Sequence, residues 1–135
     1  MKSKRVVLTI SICVLMIVLI LGFEVKQFQP RKMIVDRDAI DSVSVKYHGS
    51  KIDVDADKLI SILEHYNAKK TTHDYSPYSS EQIDIEIDFN ENHRFRHILL
   101  GEFNIWYESG DTFYNILDVE KLKSELRGII KENVR

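Results

Sequence analysis

Two histidines, His93 and His97, have the spacing that a metal site on a helix would need. Residues four apart lie on one helix face and can chelate a metal ion there. Their segment, HRFRH, alternates instead in the manner of a β-strand, where same-face neighbours are about 6.5–7 Å apart. A metal ion would also need a carboxylate or cysteine on that face, and the neighbouring acidic residues are expected to point away. We therefore predict no metal site and interpret His97 as a hydrogen-bonded core residue.

Three carboxylates, Asp84, Glu86 and Asp88, alternate with apolar residues in the segment IDIEIDF. Such a row could bind calcium or provide an acid/base pair. On the solvent side of a hairpin they would instead face Arg94 and Arg96 as ordinary ion pairs, each contributing about 0–1 kcal/mol. Catalysis would need a pocket that shifts their pKa values, and no such pocket is indicated, so we predict no catalytic role.

The polar segment 71–82 brings three serines close to His73 and Asp74 in sequence, and we predict that it is a loop. It lacks the G-x-S-x-G turn that exposes a nucleophilic serine in many hydrolases. The five glycines of the chain are dispersed and form no phosphate-binding or dinucleotide-binding pattern. The sequence therefore predicts a protein that is not an enzyme and needs no cofactor.

Aromatic residues offer the best candidate for a binding surface. The segment YSPY at 75–78 is uncharged, and tyrosines in loops give contact area at low entropic cost. If Phe103, Ile105 and Tyr107 point into the core, Trp106 lies on the opposite face of their strand, exposed or under a loop. The alternative is that the tyrosines fold back over an edge of the core. The predicted binding residues are Tyr75, Tyr78 and Trp106.

The amino-terminal segment has the features of a membrane anchor. Residues 6–23 contain no charge and follow a basic start, and 18 helical residues span roughly 27 Å of the ~30 Å hydrocarbon layer. The exit of this segment, LGFEV, is a poor signal-peptidase site. We predict a cytoplasmic tail (1–5), an uncleaved single-pass signal anchor (6–23) and an extracytoplasmic carboxyl-terminal domain in the cell membrane. Cleavage of the leader and lipidation of Cys13 are the alternatives.

Charge and composition exclude several classes of protein. The leader holds three of the 19 basic residues and no acidic residue, so the rest of the chain carries 16 basic against 21 acidic side chains. Nucleic-acid binding is therefore excluded, because phosphate contacts require the opposite balance. Five glycines, two prolines and one cysteine also exclude collagen and disulfide scaffolds.

The remaining chain predicts an α+β domain. Residues 24–38 show no period and are interpreted as a juxtamembrane linker. Alternation at 43–47, a turn at 48–50 and a second apolar segment at 52–54 predict a hairpin. Strands are also predicted at 83–89, at 93–97, at 103–107 and at 112–116, the last two joined by a turn at 109–111.

Two amphipathic helices complete the domain, which we assign to residues 39–133. Asp55 or Asp57 would cap the first helix and Asp118 the second. The order is β-β-α-β-β-β-β-α, with an antiparallel sheet and both helices on one face. The helical apolar stripes are Leu59, Ile60, Leu63 and Tyr66, and Val119, Leu122, Leu126, Ile129 and Ile130.

The turn after IDIEIDF predicts a testable strand register. Asn90, Glu91 and Asn92 would form a three-residue hairpin loop, since asparagine tolerates left-handed backbone conformation. This loop pairs Asp88 with Arg94 and Glu86 with Arg96 on the solvent face. It places Phe95 beside Ile87, and His97 beside Ile85, on the buried face.

The chain resembles small membrane-anchored or lipid-anchored extracytoplasmic proteins of Gram-positive bacteria, which form families of unknown function. The resemblance rests on the basic–apolar leader, the hairpin followed by a helix, the polar segment before IDIEIDF, the NENHRF turn and the Gly110-Asp111 hairpin. It covers nearly the whole chain but includes no signature motif. It implies a location at the cell surface and assigns no functional residue.

These observations favour a binding or regulatory module that contacts an envelope protein or a peptide. One alternative is a small-ligand or ion sensor that uses the sheet face not covered by helices, and another is an immunity-like inhibitor. A partner-binding module should have a contiguous exposed aromatic patch. A ligand sensor should have an enclosed pocket of about 300 Å³ or more.

Overall fold

A computed structural model describes residues 2–72, 82–108 and 112–133. It confirms an α+β fold with the predicted order of hairpins and helices and adds two short strands, β1 and β4. The helices are α1 (Lys2–Gln27), α2 (Ala56–Leu63) and α3 (Val119–Asn133). The strands are β1 (Arg31–Lys32), β2 (Ile40–Tyr47), β3 (Ser50–Ile52), β4 (Asn67–Lys70), β5 (Ile83–Glu91), β6 (Arg94–Gly101), β7 (Asn104–Glu108) and β8 (Thr112–Ile116).

The first helix, α1, is long and apolar enough to cross a membrane. Its 26 residues include an 18-residue window with a mean hydropathy of 3.1, and none of its residues is buried against the rest of the protein. An apolar helix without a protein core around it is expected in a lipid environment.

All eight strands form one antiparallel sheet in the order β1-β4-β8-β7-β6-β5-β2-β3. Both α2 and α3 contribute to a single hydrophobic core, so they cover the same face of the sheet. Asp55 caps α2 by accepting from the backbone N–H groups of Asp57 and Lys58. The predicted stripes are confirmed, since Leu59, Leu63, Leu122, Leu126 and Ile130 are all buried. We call the opposite face, which no described helix covers, the open face.

The β5–β6 hairpin differs from the predicted register. Strand β5 continues to Glu91, which pairs with Arg94 across a two-residue turn. Both turn residues, Asn92 (φ 51°) and His93 (φ 61°), are left-handed, as a type I′ turn requires. The partner of Asp88 is therefore His97 rather than Arg94.

A shift by three residues reverses the face of every side chain in β6, because side chains alternate along a strand. The predicted pairs of Asp88 with Arg94 and of Glu86 with Arg96 are therefore wrong. Arg96 lies on the helix-covered face, opposite Phe89. His97 lies on the open face rather than in the core beside Ile85.

Much of segment 24–38 belongs to the fold and is not a free linker. Strand β1 pairs with β4, and Met33 and Ile34 are 0% and 4% exposed. The carboxylate of Glu91, itself 2% exposed, accepts from the N–H groups of Val35 (2.7 Å) and Asp36 (2.6 Å). The folded domain therefore begins at residue 31 rather than at residue 39.

Candidate functional site

Of the three predicted binding residues, Trp106 is the one that lies within the described part of the chain. Tyr75 and Tyr78, like most of the predicted loop 71–82 and the whole predicted turn 109–111, lie outside the described residues. Trp106 is only 3% exposed and lies on the helix-covered face, with its ring centroid 4.6 Å from that of Tyr114. The prediction that Trp106 lies opposite the core, exposed or under a loop, is wrong because the helices cover the face of β7 that carries Trp106. Ile105, on the open face, is also fully buried.

Four other rings form a contiguous surface on the open face. We call Phe95, His97, Tyr107 and Phe113 the aromatic row. The sheet register places His97 opposite Tyr107, and Tyr107 opposite Phe113. Phe95 stacks on His97 with ring centroids 6.0 Å apart, and Tyr107 is 5.4 Å from Phe113. Phe95 is 41% exposed and the other three rings are half-buried, so the row offers aromatic surface to a partner.

A small second core supports this row. Ile83, Leu99 and Ile105 are each at most 4% exposed, and Phe113 packs against them. The rings therefore project from three adjacent strands beside this core, and cross-strand neighbours limit their rotamers. Rings held in this way lose little conformational entropy on binding.

A histidine–carboxylate contact fixes the orientation of the central ring. His97 Nδ1 contacts the carboxylate of Asp88 on the neighbouring strand. The adjacent carboxylate, Glu86, pairs with Lys46 Nζ at 3.1 Å, and this hydrogen bond and charge raise the pKa of Lys46. The acidic residues beside the row are therefore satisfied by their own neighbours. This leaves the row largely apolar.

The helix-covered face carries a buried charge cluster at the same end of the sheet. Arg96, 6% exposed, forms ion pairs with Glu91 (3.5 Å) and Glu108. Tyr114 donates to Glu108 at 3.3 Å, and burial followed by the nearby Glu108 charge raises the pKa of Tyr114. The Arg96 guanidinium also lies 5.1 Å from the Trp106 ring centroid. Because Glu91 also accepts from the N–H groups of Val35 and Asp36, this cluster attaches the beginning of the domain to the sheet.

Two grooves on the domain are large enough to hold small molecules. One, about 440 Å³, runs beside β2 and β3 and is lined by residues including Val43, Ser44 and Val54. The other, about 380 Å³, lies where α2 ends and α3 begins, and it includes Tyr66 and Glu125. Both mix apolar and charged lining and lie at the surface. Among the described residues, no group of three or more histidine, cysteine, aspartate or glutamate side chains could hold a metal ion.

Comparison with known proteins gives no relative from which a function could be transferred. No family model matches the chain, and neither a curated protein nor a solved structure matches it. The function of this protein must therefore be inferred from its own surfaces.

Proposed function

We propose that this protein is a membrane-anchored module that binds another protein of the cell envelope through the aromatic row. The supporting observation is the contiguous, half-exposed series of four rings on the open face, with Phe95 most accessible. Aromatic side chains are enriched in protein interfaces, where they bury large areas at low entropic cost. Helix α1 supplies the anchor, with residues 1–5 in the cytoplasm and the sheet domain outside.

The chemistry of the row indicates the partner surface that would fit it. Asp88 contacts His97 and Glu86 pairs with Lys46, so both carboxylates beside the row already have partners within the sheet. A complementary surface would bring apolar side chains against Phe95 and a polar group to the Tyr107 hydroxyl. A small-molecule ligand would instead need a concave pocket, and the two grooves described above are lined by residues outside the row.

Photo-crosslinking from the row tests this proposal. A photoreactive amino acid replaces Phe95 in the full-length protein, expressed in its native cells, and adducts are identified by mass spectrometry. Val35, which is 75% exposed and lies outside the row, is the matched control position. We expect a discrete protein adduct at position 95, reduced at least fivefold by Tyr107→Thr, and no matching adduct at position 35.

Two results would contradict the proposal. One is the absence of any protein adduct at position 95 when the chain is present in the membrane at its normal level. The other is an equal yield of the same adduct at positions 95 and 35, which would indicate proximity without a specific surface. The first result would direct attention to the grooves and to a ligand-sensing role.

A further inference from the structure

The edge of the sheet next to α1 is strongly basic. Its outermost strand, β1, contributes Arg31 and Lys32, and the adjacent strand, β4, contributes Lys69 and Lys70. We call these four residues the basic edge. Arg31 pairs with Ala68 in the sheet and Lys32 with Asn67. Because side chains alternate, Arg31 and Lys70 lie on the helix-covered face, and Lys32 and Lys69 on the open face.

No acidic side chain among the described residues pairs with the positive charges of this edge. Within the part of the chain that the structure describes, none of the four side chains forms an ion pair, whereas Lys46, Arg94 and Arg96 all do. Arg31 donates to the Tyr114 hydroxyl at 3.4 Å, and that group is neutral. Arg31, Lys32 and Lys69 are exposed, so the edge can accept an anionic partner without rearrangement of the core.

The chain itself places this edge at the end of the apolar helix. The N–H groups of Phe28 and Gln29 still bond to the carbonyls of Glu24 and Lys26, so only Pro30 separates the last helical turn from β1. Lys70 Nζ also lies 3.5 Å from the side-chain oxygen of Gln27. The helix rises about 6 Å from Phe23 to Gln27, close to the thickness of one headgroup layer.

We infer that the basic edge binds the anionic headgroups of the membrane in which α1 is anchored. This inference rests on the proposed anchoring by α1 and names a second contact with the same bilayer. The lysine and arginine side chains are close enough to the surface to attract anionic phospholipids, an attraction that decays within a Debye length. A headgroup contact at one edge would orient the whole sheet. Phe113 would then be the ring of the aromatic row nearest the membrane, since its strand, β8, pairs with β4, whereas Phe95 lies two strands further away.

A fluorescence-quenching experiment on the full chain tests this inference. Cys13, the only cysteine, is replaced by serine, and Asn67→Cys carries a fluorophore next to Lys32. The protein is reconstituted into vesicles of phosphatidylcholine, with or without phosphatidylglycerol, that contain a lipid with a nitroxide on its headgroup. We expect quenching to rise at least twofold with phosphatidylglycerol and to return to the phosphatidylcholine level at high salt.

Matched charge variants identify the contact. Lys32→Gln with Lys69→Gln should abolish the response to phosphatidylglycerol. Lys51→Gln with Lys121→Gln removes the same charge from exposed sites on β3 and α3, and it should leave the response unchanged. Equal quenching in both lipids, or an equal loss in the two variants, would overturn the inference.

Flotation of the same samples separates this result from the proposed function. If the protein floats with both kinds of vesicle but shows no lipid-dependent quenching, only the headgroup contact is contradicted. If it does not float with either, the anchor is contradicted and the inference falls with it. Crosslinking at position 95 reports on the aromatic row independently of both outcomes.

Discussion

The two faces of the sheet differ at the end that carries the charge cluster and the aromatic row. The helix-covered face buries Glu91 and Arg96 and partly buries Glu108, whereas the open face presents the rings of Phe95 and Tyr107. Buried charges need partners, and here the partners hold the chain that leads from α1 into the sheet. The half-exposed rings are not required to complete the main core. The first face therefore maintains the structure, and the second is available for binding.

The largest effect is expected from removal of a buried charge. Glu91→Ala would leave the Arg96 guanidinium without one of its carboxylates and the N–H groups of Val35 and Asp36 without their acceptor. Breaking a buried pair in this way costs about 3–5 kcal/mol of unfolding free energy. Urea denaturation of the full chain in detergent measures it. Glu86→Gln, which breaks the partly exposed pair with Lys46, is the control and should cost at most about 1 kcal/mol.

A ring substitution on the open face should weaken binding to the partner while changing the unfolding free energy little. Phe95→Ala is expected to change the unfolding free energy by less than about 1 kcal/mol, because the side chain is 41% exposed. Affinity for the crosslinked partner should fall about tenfold, as it does when a central aromatic contact is removed. Titration of the purified pair measures the second quantity. A loss of stability as large as that of Glu91→Ala would show that the two faces do not divide their roles.

The hairpin turn offers a stabilising substitution. His93 has a left-handed backbone (φ 61°), a conformation that costs less for glycine than for other residues. His93→Gly would create the Asn-Gly pair favoured in type I′ turns and should raise the unfolding free energy by about 1 kcal/mol. His48→Gly makes the same substitution at another left-handed position (φ 45°), in the β2–β3 hairpin, and its unfolding free energy can be compared with that of His93→Gly. Destabilisation by His93→Gly would contradict the two-residue turn and the register that follows from it.

The smallest effect at neutral pH is expected at Tyr66. Burial, with a smaller effect from Glu125, raises the pKa of Tyr66 from 10.0 to about 12. The unfolded chain therefore ionises first, so the stability due to neutral Tyr66 is present below pH 10 and is lost as the pH rises towards 12. Tyr66→Phe should change stability by about 1 kcal/mol or less at neutral pH.

Urea midpoints measured on both sides of the ordinary tyrosine pKa test this prediction. The Tyr66→Phe variant should lose less stability than the wild type as the pH rises. Parallel losses in the two proteins would show that Tyr66 does not experience the raised pKa.

Several elements of the fold could be predicted from sequence because their signals are local. The alternation in IDIEIDF specifies a strand, and Ile85, Ile87 and Phe89 are buried together in the main core as predicted. Ile83 was predicted on the same face but is buried in the second core, because the register with β6 shifts between Ile83 and Ile85. The stripe of α3 likewise identifies the residues that pack on the sheet. Residues 6–23 indicate a membrane-spanning helix from length and apolar composition alone, and α1 includes them all.

Two features of the fold depended on tertiary structure. The type I′ turn could not be recognised from the sequence, because His93 occupies the position at which glycine usually indicates such a turn. The turn has two residues, so Arg96 and His97 lie on the faces opposite to those predicted. Residues 31–34 have no periodic pattern, and they are ordered by pairing with β4 and by burial of Met33.

The candidate site, too, could be predicted from the sequence only in part. Trp106 is in a segment correctly predicted as a strand, but alternation does not reveal whether one face or both faces of a strand will be covered. The aromatic row joins Phe95 to rings on β7 and β8 that are distant in the sequence. Local periodicity therefore determined which segments are strands and helices. Only long-range pairing and packing decided which side chains remain at the surface.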